Sequence, residues 1–420
     1  MPSIQQEAPR GRRRSAARAR RPSGSAEVCI VGGAGRVGLP LALVLASKGR
    51  RVLIHDINRP VADLISRGVM PFMEAGAEPL LKRVLAQGLL TVSSAPGVEV
   101  AGVPTIIVTI GTPVDEFMNP TLKGIVQALE PLLPHLSAEH LVVLRSTVAP
   151  GTTEWLDRYF REAGKSPKVA FCPERIVEGR AIEELQTLPQ IVSGTTPEAE
   201  KRAAEFFLQL APKVVRLKPM EAEFAKLFCN AYRYIQFAAT NQFYMMANSS
   251  GLDYYRILEG MKQDYARMRD LPRAGLSAGP CLFKDTVQLG AFYGNGFTLG
   301  NTAMLINEGL PLYIVDQLAR RYELPKLTVG LLGMAFKADS DDPRASLSYK
   351  FKKLLRVRAK AVMTTDPFVK GDPDLLPLPK VLQRSDLLIL CVPHRVYDGL
   401  DTRGTPVVDV WNFFDRGGQI

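Results

Sequence analysis

The chain has 420 residues, with 53 Lys+Arg against 42 Asp+Glu and a formal net charge of +11. Hydrophobic residues make up 46% and charged residues 23%, an ordinary globular balance that sets the chain as a whole apart from disordered proteins. No apolar run reaches the roughly 18 residues that a membrane-spanning helix needs, and the length predicts two or three domains.

The first 26 residues hold seven arginines (Arg10, Arg12, Arg13, Arg14, Arg18, Arg20, Arg21) and one acid, Glu7. They carry +6 of the total and leave +5 for the other 394 residues. Ile4 is the one large aliphatic in this stretch, so it cannot bury enough surface to fold alone. A transit peptide or a phosphate-binding arm would have this composition, and so would a plain disordered extension, the reading preferred here. There is no apolar core of a secretory signal, and the expected location is cytoplasmic.

Order begins at Glu27. Residues 28–31 form an apolar strand-like run that ends in glycines, 39–46 read as a helix, and 51–56 as the next strand. Further strand-like runs lie at 103–110, 141–145, 169–172, 190–194 and 214–217, with helical stretches between them. Such alternation predicts a parallel sheet covered by helices. Residues 221–250 then contain neither Gly nor Pro and carry Ala, Phe, Leu, Tyr and Met at helical spacing. One helix of about 45 Å is expected there, with more helix to about Tyr322. The strand-and-helix pattern restarts with 328–332, a Gly333 turn, a helix over 346–356, and strands at 361–365, 386–392 and 407–410. The fold class is therefore α/β: two Rossmann-like, doubly wound units, distant echoes of each other, joined by a long central helix and a helical middle. The expected boundaries are 1–26 for the tail, 27–217 for the first unit, 218–325 for the middle and 326–420 for the last.

Gly33, Gly35 and Gly38 form a GxGxxG turn between the first strand and its helix. The first glycine permits the tight turn, the second lets a pyrophosphate approach the backbone, and the third lets helix and strand pack closely. With Val37 they are the expected cofactor contacts, at a helix N-terminus that favours phosphate. Asp56 ends the next strand, where a carboxylate accepts from the ribose hydroxyls and repels a 2′-phosphate, favouring NAD over NADP. Arg51 and Arg59 nearby are the counter-indication.

Polar segments stand at other strand ends: Gly111, Thr112 and Pro113; residues 145–153 from Arg145; and 172–175, a Cys-Pro-Glu-Arg run. Ligands sit at such carboxyl ends in open α/β folds. Lys226 and Asn230, four apart on the long helix, share a face. Cys281 follows a Gly-Pro turn, with Lys284 and Asp285 near enough to influence its charge, which makes it a candidate nucleophile, since a cysteine becomes a good nucleophile when neighbours stabilise the thiolate. The five cysteines (Cys29, Cys172, Cys229, Cys281, Cys391) stand apart, without a CxxC pair or a His-Cys cluster, which predicts neither a disulfide framework nor structural zinc. The four histidines (His55, His135, His140, His394) are scattered, and no metal is expected.

Seven motifs in order, GAGRVGLPLA (33–42), GTP (111–113), STVAPGTT (146–153), CPERI (172–176), AKLFCNAYR (225–233), GPCLFKD (279–285) and GMAFKADSDDPRAS (333–346), resemble the nucleotide-sugar 6-dehydrogenases. This is the family of UDP-glucose, GDP-mannose and UDP-N-acetylhexosamine dehydrogenases. The resemblance spans residue 28 to about 415. It implies oxidation of a sugar CH2OH to a carboxylate, with two NAD used in turn and a thiohemiacetal and thioester on Cys281. It also implies roles for individual residues. Lys226 stabilises the alkoxide and oxyanion, with Asn230 as its hydrogen-bonding partner. Asp285, with Thr147, holds the water used in proton transfer, and Glu174 takes part in thioester hydrolysis. Thr112 and Thr147 line the nicotinamide pocket, and Arg344 lies near the cofactor. Gly279, Phe336 and Lys337 contact the sugar nucleotide, and Arg267 stands where a partner-subunit arginine reaches its phosphates. The long helix resembles a dimer-forming element, so a homodimer or larger homo-oligomer is expected.

The sequence departs from the family pattern at two points. Ala278 and Gly279 stand where a double glycine is usual, and Glu178 replaces the proline of the PERxxPG pattern. CPER with Arg233 leans toward N-acetylhexosamine substrates, and the Cys-x-x-Lys-Asp run toward UDP-glucose and GDP-mannose. The preferred substrate is a UDP-linked hexose or N-acetylhexosamine, the acetamido form ahead. Two rivals are a two-electron β-hydroxyacid dehydrogenase, which lacks the cysteine and the second α/β unit, and a silent nucleotide or nucleic-acid binder. Anionic ligands account for the residual +5 without a nucleic-acid or membrane partner. Deleting residues 1–26 is expected to leave turnover unchanged, measured as NADH absorbance against the full chain.

Overall fold

The computed structural model describes residues 25–95, 98–115, 121–277 and 279–420. The arginine-rich stretch, apart from its last two residues, and Ala278 lie outside them.

The first unit is an eight-stranded sheet. Its strands are β1 (Val28–Val31), β2 (Val52–His55), β3 (Leu90–Ser93), β4 (Thr105–Val108), β5 (Leu141–Leu144), β6 (Lys168–Phe171), β7 (Gln190–Gly194) and β8 (Val214–Arg216). They lie in the order β3-β2-β1-β4-β5-β6-β7-β8. Both faces are covered by helices α1 (Gly38–Ser47), α2 (Arg59–Ser66), α3 (Ala77–Ala86), α4 (Lys123–Leu129), α5 (Thr152–Glu162), α6 (Ala181–Thr187) and α7 (Pro197–Phe207). Strands β1, β2, β4 and β5 are buried at every position, which is why they read as unbroken apolar runs. Ile30 lies opposite Ile54 on one side and Ile107 on the other.

Two features differ from the sequence expectation. Strand β7 pairs with β6 antiparallel, so the sheet is not wholly parallel. Strand β3 was not expected, because LTVS at the sheet edge buries only Leu90 fully and lacks an apolar run.

Helix α8 (Pro219–Ser249) has 31 residues. Pro219 takes the first helical position, and the Glu221 carboxylate accepts from Lys218 N at 2.8 Å. Both are helix-start devices. Its buried stripe includes Ala222, Leu227, Ala231 and Tyr234 at core spacing, and also the polar Glu223, Lys226, Asn230 and Asn241. Asn241 donates to Asn307 Oδ1 at 3.0 Å and accepts from Gly275 N at 2.9 Å. Helices α9 (Tyr254–Lys262), α10 (Leu282–Phe292) and α11 (Thr298–Arg321) complete the middle.

The last unit is a parallel sheet of β9 (Thr328–Leu332), β10 (Ala361–Thr365), β11 (Leu387–Leu390) and β12 (Val407–Val408), in the order β10-β9-β11-β12. Helices α12 (Leu347–Arg358) and α13 (Leu378–Arg384) pack against it.

The two α/β units share one local device. A glycine at positive φ, Gly32 (75°) or Gly333 (93°), follows the first strand. An aspartate just after the next strand then accepts from the turn. Asp56 Oδ2 takes Ala34 N at 3.0 Å, and Asp366 Oδ2 takes Met334 N at 2.6 Å and Ala335 N at 3.0 Å. In the last unit this acid is covered by the fully buried His394, with Nε2 3.1 Å from Asp366 Oδ2.

Glu223 ties α8 to the first unit. It is fully buried and accepts from Gly151 N (2.6 Å), Thr153 N (2.8 Å) and Thr153 Oγ1 (2.6 Å), where α5 begins. Glu223→Ala leaves these donors unpaired, each worth about 1–3 kcal/mol. It is expected to lower the melting temperature by several degrees in a thermal scan, with Glu223→Gln falling between the variant and the parent.

Candidate active site

The glycine turn fits a dinucleotide. A Cβ on Gly33 would meet Ile30 O at 2.7 Å, and one on Gly38 would meet Gly33 Cα at 2.6 Å, so both positions require glycine. At Gly35 the nearest atom is 3.6 Å away, and the backbone there stays approachable. Helix α1 has no side-chain cap at Val37 and no acid in its first turn, in contrast to α2, which Asn58 caps. Its N–H groups and dipole are left for the phosphates of a bound dinucleotide. Asp56, half-buried, stands beside this turn and accepts from Asn58 N at 3.0 Å as well as from Ala34 N.

Beyond the ends of β4, β5 and β6, polar side chains converge with α8 and α10. Thr112 is buried and donates from Oγ1 to the Thr147 carbonyl. Lys284 Nζ lies 3.5 Å from Thr112 Oγ1 and 2.8 Å from Asp285 Oδ1. Asp285 is fully buried and accepts from Asn230 Nδ2 at 2.6 Å. Lys226, only 4% exposed, stands 3.6 Å from Glu174 Oε1. Burial alone would pull Lys226 down, but the Glu174 and Asp285 carboxylates outweigh it and hold the ammonium above its usual value. Asn230 therefore serves Asp285, while Lys226 faces Glu174. Thr147 enters through its carbonyl.

The strand-end loop of Glu174 has its own support. Arg145, fully buried, donates to Cys172 O at 3.1 Å and to Gln190 Oε1 at 3.0 Å. Gln190 Nε2 donates to Pro173 O at 2.7 Å. Glu174 Oε2 closes the loop by accepting from Ile176 N at 2.8 Å.

Cys281 stands immediately before the first turn of α10 and is open to solvent on one side. On the other it is enclosed by the groups just named. Burial first, and then the Asp285 carboxylate, push its thiol up to about 11, against the pull of Lys226. The surroundings of Cys281 therefore disfavour the thiolate, with Lys226 and Lys284 as the opposing pull. Gly279 has φ 122°, and a Cβ there would lie 2.7 Å from the Phe336 ring, so the loop before Cys281 packs directly on the last unit. Cys172, buried at the end of β6, is held up at about 12 by its burial and is no rival nucleophile.

Lys337 and Arg344 are not free to wait for a ligand. Lys337 donates to the Glu178 carbonyl. Arg344 forks onto Asp342 and lies 3.5 Å from Glu178 Oε1. Arg233 and Arg267 are exposed, and Arg267 contacts Tyr265. The structure does not bring either into the cluster. The sequence reading missed Arg36, Glu74, Asp341 and Asp342. Arg36 reaches from the glycine turn to Asp341 Oδ1 at 2.8 Å and Asp342 Oδ2 at 3.6 Å. The Glu74 carboxylate accepts from Gly179 N at 2.9 Å and Ile182 N at 3.3 Å. An arginine inside the glycine motif and the Asp341–Asp342 pair were the available signals.

Family models for the UDP-glucose/GDP-mannose dehydrogenase family match in three consecutive segments: the NAD binding domain over residues 26–211, the central domain over 220–308 and the UDP binding domain over 330–416. The UDP-N-acetyl-D-mannosamine dehydrogenase of Pyrococcus horikoshii is 29% identical over 381 residues, covering 88% of this chain and 90% of that protein. The solved structure of the UDP-D-ManNAc dehydrogenase from Pyrococcus horikoshii superposes with a TM-score of 0.84 at 27% identity, covering 92% of this chain and 96% of the other. A UDP-glucose dehydrogenase from Pyrobaculum islandicum gives 0.85 at 29% identity, covering 93% and 95%.

The electrostatics of the cysteine can be read directly. Asp285→Asn removes the carboxylate that disfavours the thiolate, and Lys226→Met removes the cation that favours it. The first is expected to lower the Cys281 pKa and the second to raise it, read from the pH dependence of iodoacetamide alkylation at that residue.

Proposed function

Because the chain belongs to the UDP-glucose/GDP-mannose dehydrogenase family, we propose that it oxidises the C6 hydroxymethyl of a UDP-linked sugar to the carboxylate through a covalent intermediate on Cys281. It is an NAD-dependent nucleotide-sugar dehydrogenase. The observation that carries the covalent route is the gathering of Lys226, Glu174, Asp285 and Lys284 around one solvent-open cysteine at the sheet's carboxyl edge.

NAD, held at the glycine turn with Asp56 beside it, accepts the hydrides when bound. The chain's own residues do the rest. Lys226 and Asn230 hold the C6 oxygen as it becomes an alkoxide, and its proton passes to water held at Asp285. Oriented donors of this kind are worth about 2.7–4 kcal/mol each. Once C6 is an aldehyde, the Cys281 sulfur bonds to it and the thiol proton leaves, giving a thiohemiacetal whose oxygen faces Lys226. Because the resting thiol is protonated, sulfur attack is coupled to proton removal, with Asp285 and Glu174 as the nearby acceptors. Loss of a second hydride from C6 leaves a thioester. Water, with Glu174 as base, then breaks the C–S bond, releasing the carboxylate and returning the thiol.

The substrate class follows from several supports. Relatives of comparable similarity carry UDP-N-acetyl-D-mannosamine and NDP-N-acetyl-D-galactosaminuronic acid dehydrogenase names. The CPER run with Arg233 on α8 points the same way, so UDP-N-acetylmannosamine or a related UDP-N-acetylhexosamine ranks ahead of UDP-glucose. The exposed apolar side chains Phe228, Tyr232 and Tyr293 on and beside α8 support assembly as a homodimer along this helix.

A panel of UDP-glucose, UDP-N-acetylglucosamine, UDP-N-acetylmannosamine, UDP-N-acetylgalactosamine and GDP-mannose, followed by NADH absorbance, tests the reading. Two NADH per sugar are expected, with an acetamido substrate preferred. One NADH and no acid product would overturn it. Cys281→Ser is expected to lower overall oxidation by several orders of magnitude while UDP-sugar binding, measured calorimetrically, persists.

A further inference from the structure

The contact between the glycine turn and the last unit is built from opposed charges. Arg36, the fourth residue of the glycine motif, turns away from the sheet. Its guanidinium lies over the Phe72 ring, 4.9 Å from the centroid, and reaches Asp341 and Asp342. Glu178 stands at the centre of this contact, with Oε2 3.7 Å from Arg36 Nη1 and Oε1 3.5 Å from Arg344 Nη2. Its side chain is 21% exposed, and Oε2 has no hydrogen-bond donor among the described residues. The groups that face it are Arg36 from the glycine turn, Asp341, Asp342, Arg344 and Lys337 from the loop after β9, and Glu74 behind Gly179. A cavity of about 990 Å³ opens on Arg36, Gly179 and Asp341, so the cluster has access to solvent.

Four carboxylates, Glu178, Asp341, Asp342 and Glu74, thus share the three cations Arg36, Arg344 and Lys337. A dinucleotide at the uncapped start of α1 brings two further negative charges to the backbone that carries Arg36. Phosphates held there would compete with Glu178 for the guanidinium and would add like charge beside a partly buried carboxylate. Asp342 cannot take up the difference, because Arg344 forks onto it and holds its carboxyl below the usual range despite its burial. The Glu74 carboxylate is engaged by backbone N–H groups. Asp341 is held by Arg36 Nη1 at 2.8 Å and by Met73 N at 2.9 Å, whereas Glu178 Oε2 keeps only the 3.7 Å approach of Arg36 and is the least engaged oxygen of the four carboxylates among the described residues.

We infer that Glu178 is a proton-uptake residue of the cofactor site: binding of the dinucleotide pyrophosphate beside Arg36 is accompanied by protonation of the Glu178 carboxyl. Burial, and next the repulsion from Asp342, already push Glu178 up to about 7 in the free enzyme, against the pull of Arg36, Arg344 and Lys337. The carboxyl is therefore poised to accept a proton near neutrality. The inference concerns this chain specifically, since the residue at 178 replaces a proline of the family pattern. It rests on NAD binding alone and not on the identity of the sugar.

The sign follows from linkage. A ligand whose binding takes up a proton binds more weakly as pH rises through the free-state pKa of the group. NAD affinity is expected to fall above pH 7, by up to about tenfold per pH unit while one proton is linked. Calorimetric titration of the full-length protein with NAD, at pH 7.5 in two buffers of different ionisation enthalpy, counts the protons. A fraction of one proton taken up per site is expected for the parent, and none for Glu178→Gln, whose NAD affinity stays flat from pH 6 to 9. Arg36→Met removes both a cation that opposes protonation and the guanidinium for which the phosphates compete, so the inflection moves to higher pH and the uptake counted at pH 7.5 falls. This second variant keeps the test open should the first fail to fold. No proton uptake by the parent, uptake that persists in Glu178→Gln, or an inflection that Arg36→Met leaves in place would each overturn the inference.

Discussion

An ammonium buried on a long helix cannot stand alone, and the site is arranged around that constraint. Lys226 lies in the buried stripe of α8, where an apolar side chain would otherwise pack. Removing it from water costs several kcal/mol unless carboxylates meet it. Glu174 comes from the end of β6 and Asp285 from the first turn of α10. Satisfying one charge therefore fixes three elements against each other: the sheet edge, the central helix and the cysteine-bearing helix. Asn230, one turn along α8, adds a neutral link to Asp285 and keeps that carboxylate aimed.

The same arrangement disfavours the thiolate. Two carboxylates that stabilise an ammonium also repel a negative sulfur, and at Cys281 burial and Asp285 prevail over Lys226 and Lys284. In the proposed reaction such a cysteine reacts as a thiol, when an aldehyde is present to receive it. The arrangement protects the sulfur from adventitious alkylation and oxidation, which act on thiolates. Its reactivity is drawn from the substrate and from proton acceptors within reach.

Much of this was legible in the sequence, and the exceptions have physical causes. Strands buried on both faces read as unbroken apolar runs, so β1, β2, β4 and β5 were visible, while the half-exposed edge strand β3 was not. The direction of β7 was hidden, because a five-residue strand looks the same whichever way it runs. Gly33 and Gly38 announced a tight turn and a close helix–strand approach that the packing distances bear out. The partners of the charged residues were harder to read. Asn230 with Lys226 was the natural pairing at four residues' spacing, yet each side chain turns to a different element. Arg36 and Glu178 are 142 positions apart, and nothing local in the chain signals that they meet.

The two glycine turns end the comparison differently. In the first unit Asp56 stands half-open beside its turn, whereas in the last the corresponding Asp366 lies sealed beneath His394, with Phe368 and Tyr397 against the imidazole. Among the described residues, the open turn beside Asp56 is thus the berth offered to a dinucleotide. In the proposed reaction, two oxidations must pass through that berth, so spent cofactor has to depart and fresh cofactor arrive midway. The half-oxidised sugar must be retained longer than that exchange takes. A carbon–sulfur bond supplies the dwell time, and the sealed histidine is thus a reason, built far from the chemistry, why a merely hydrogen-bonded aldehyde would be lost to solvent.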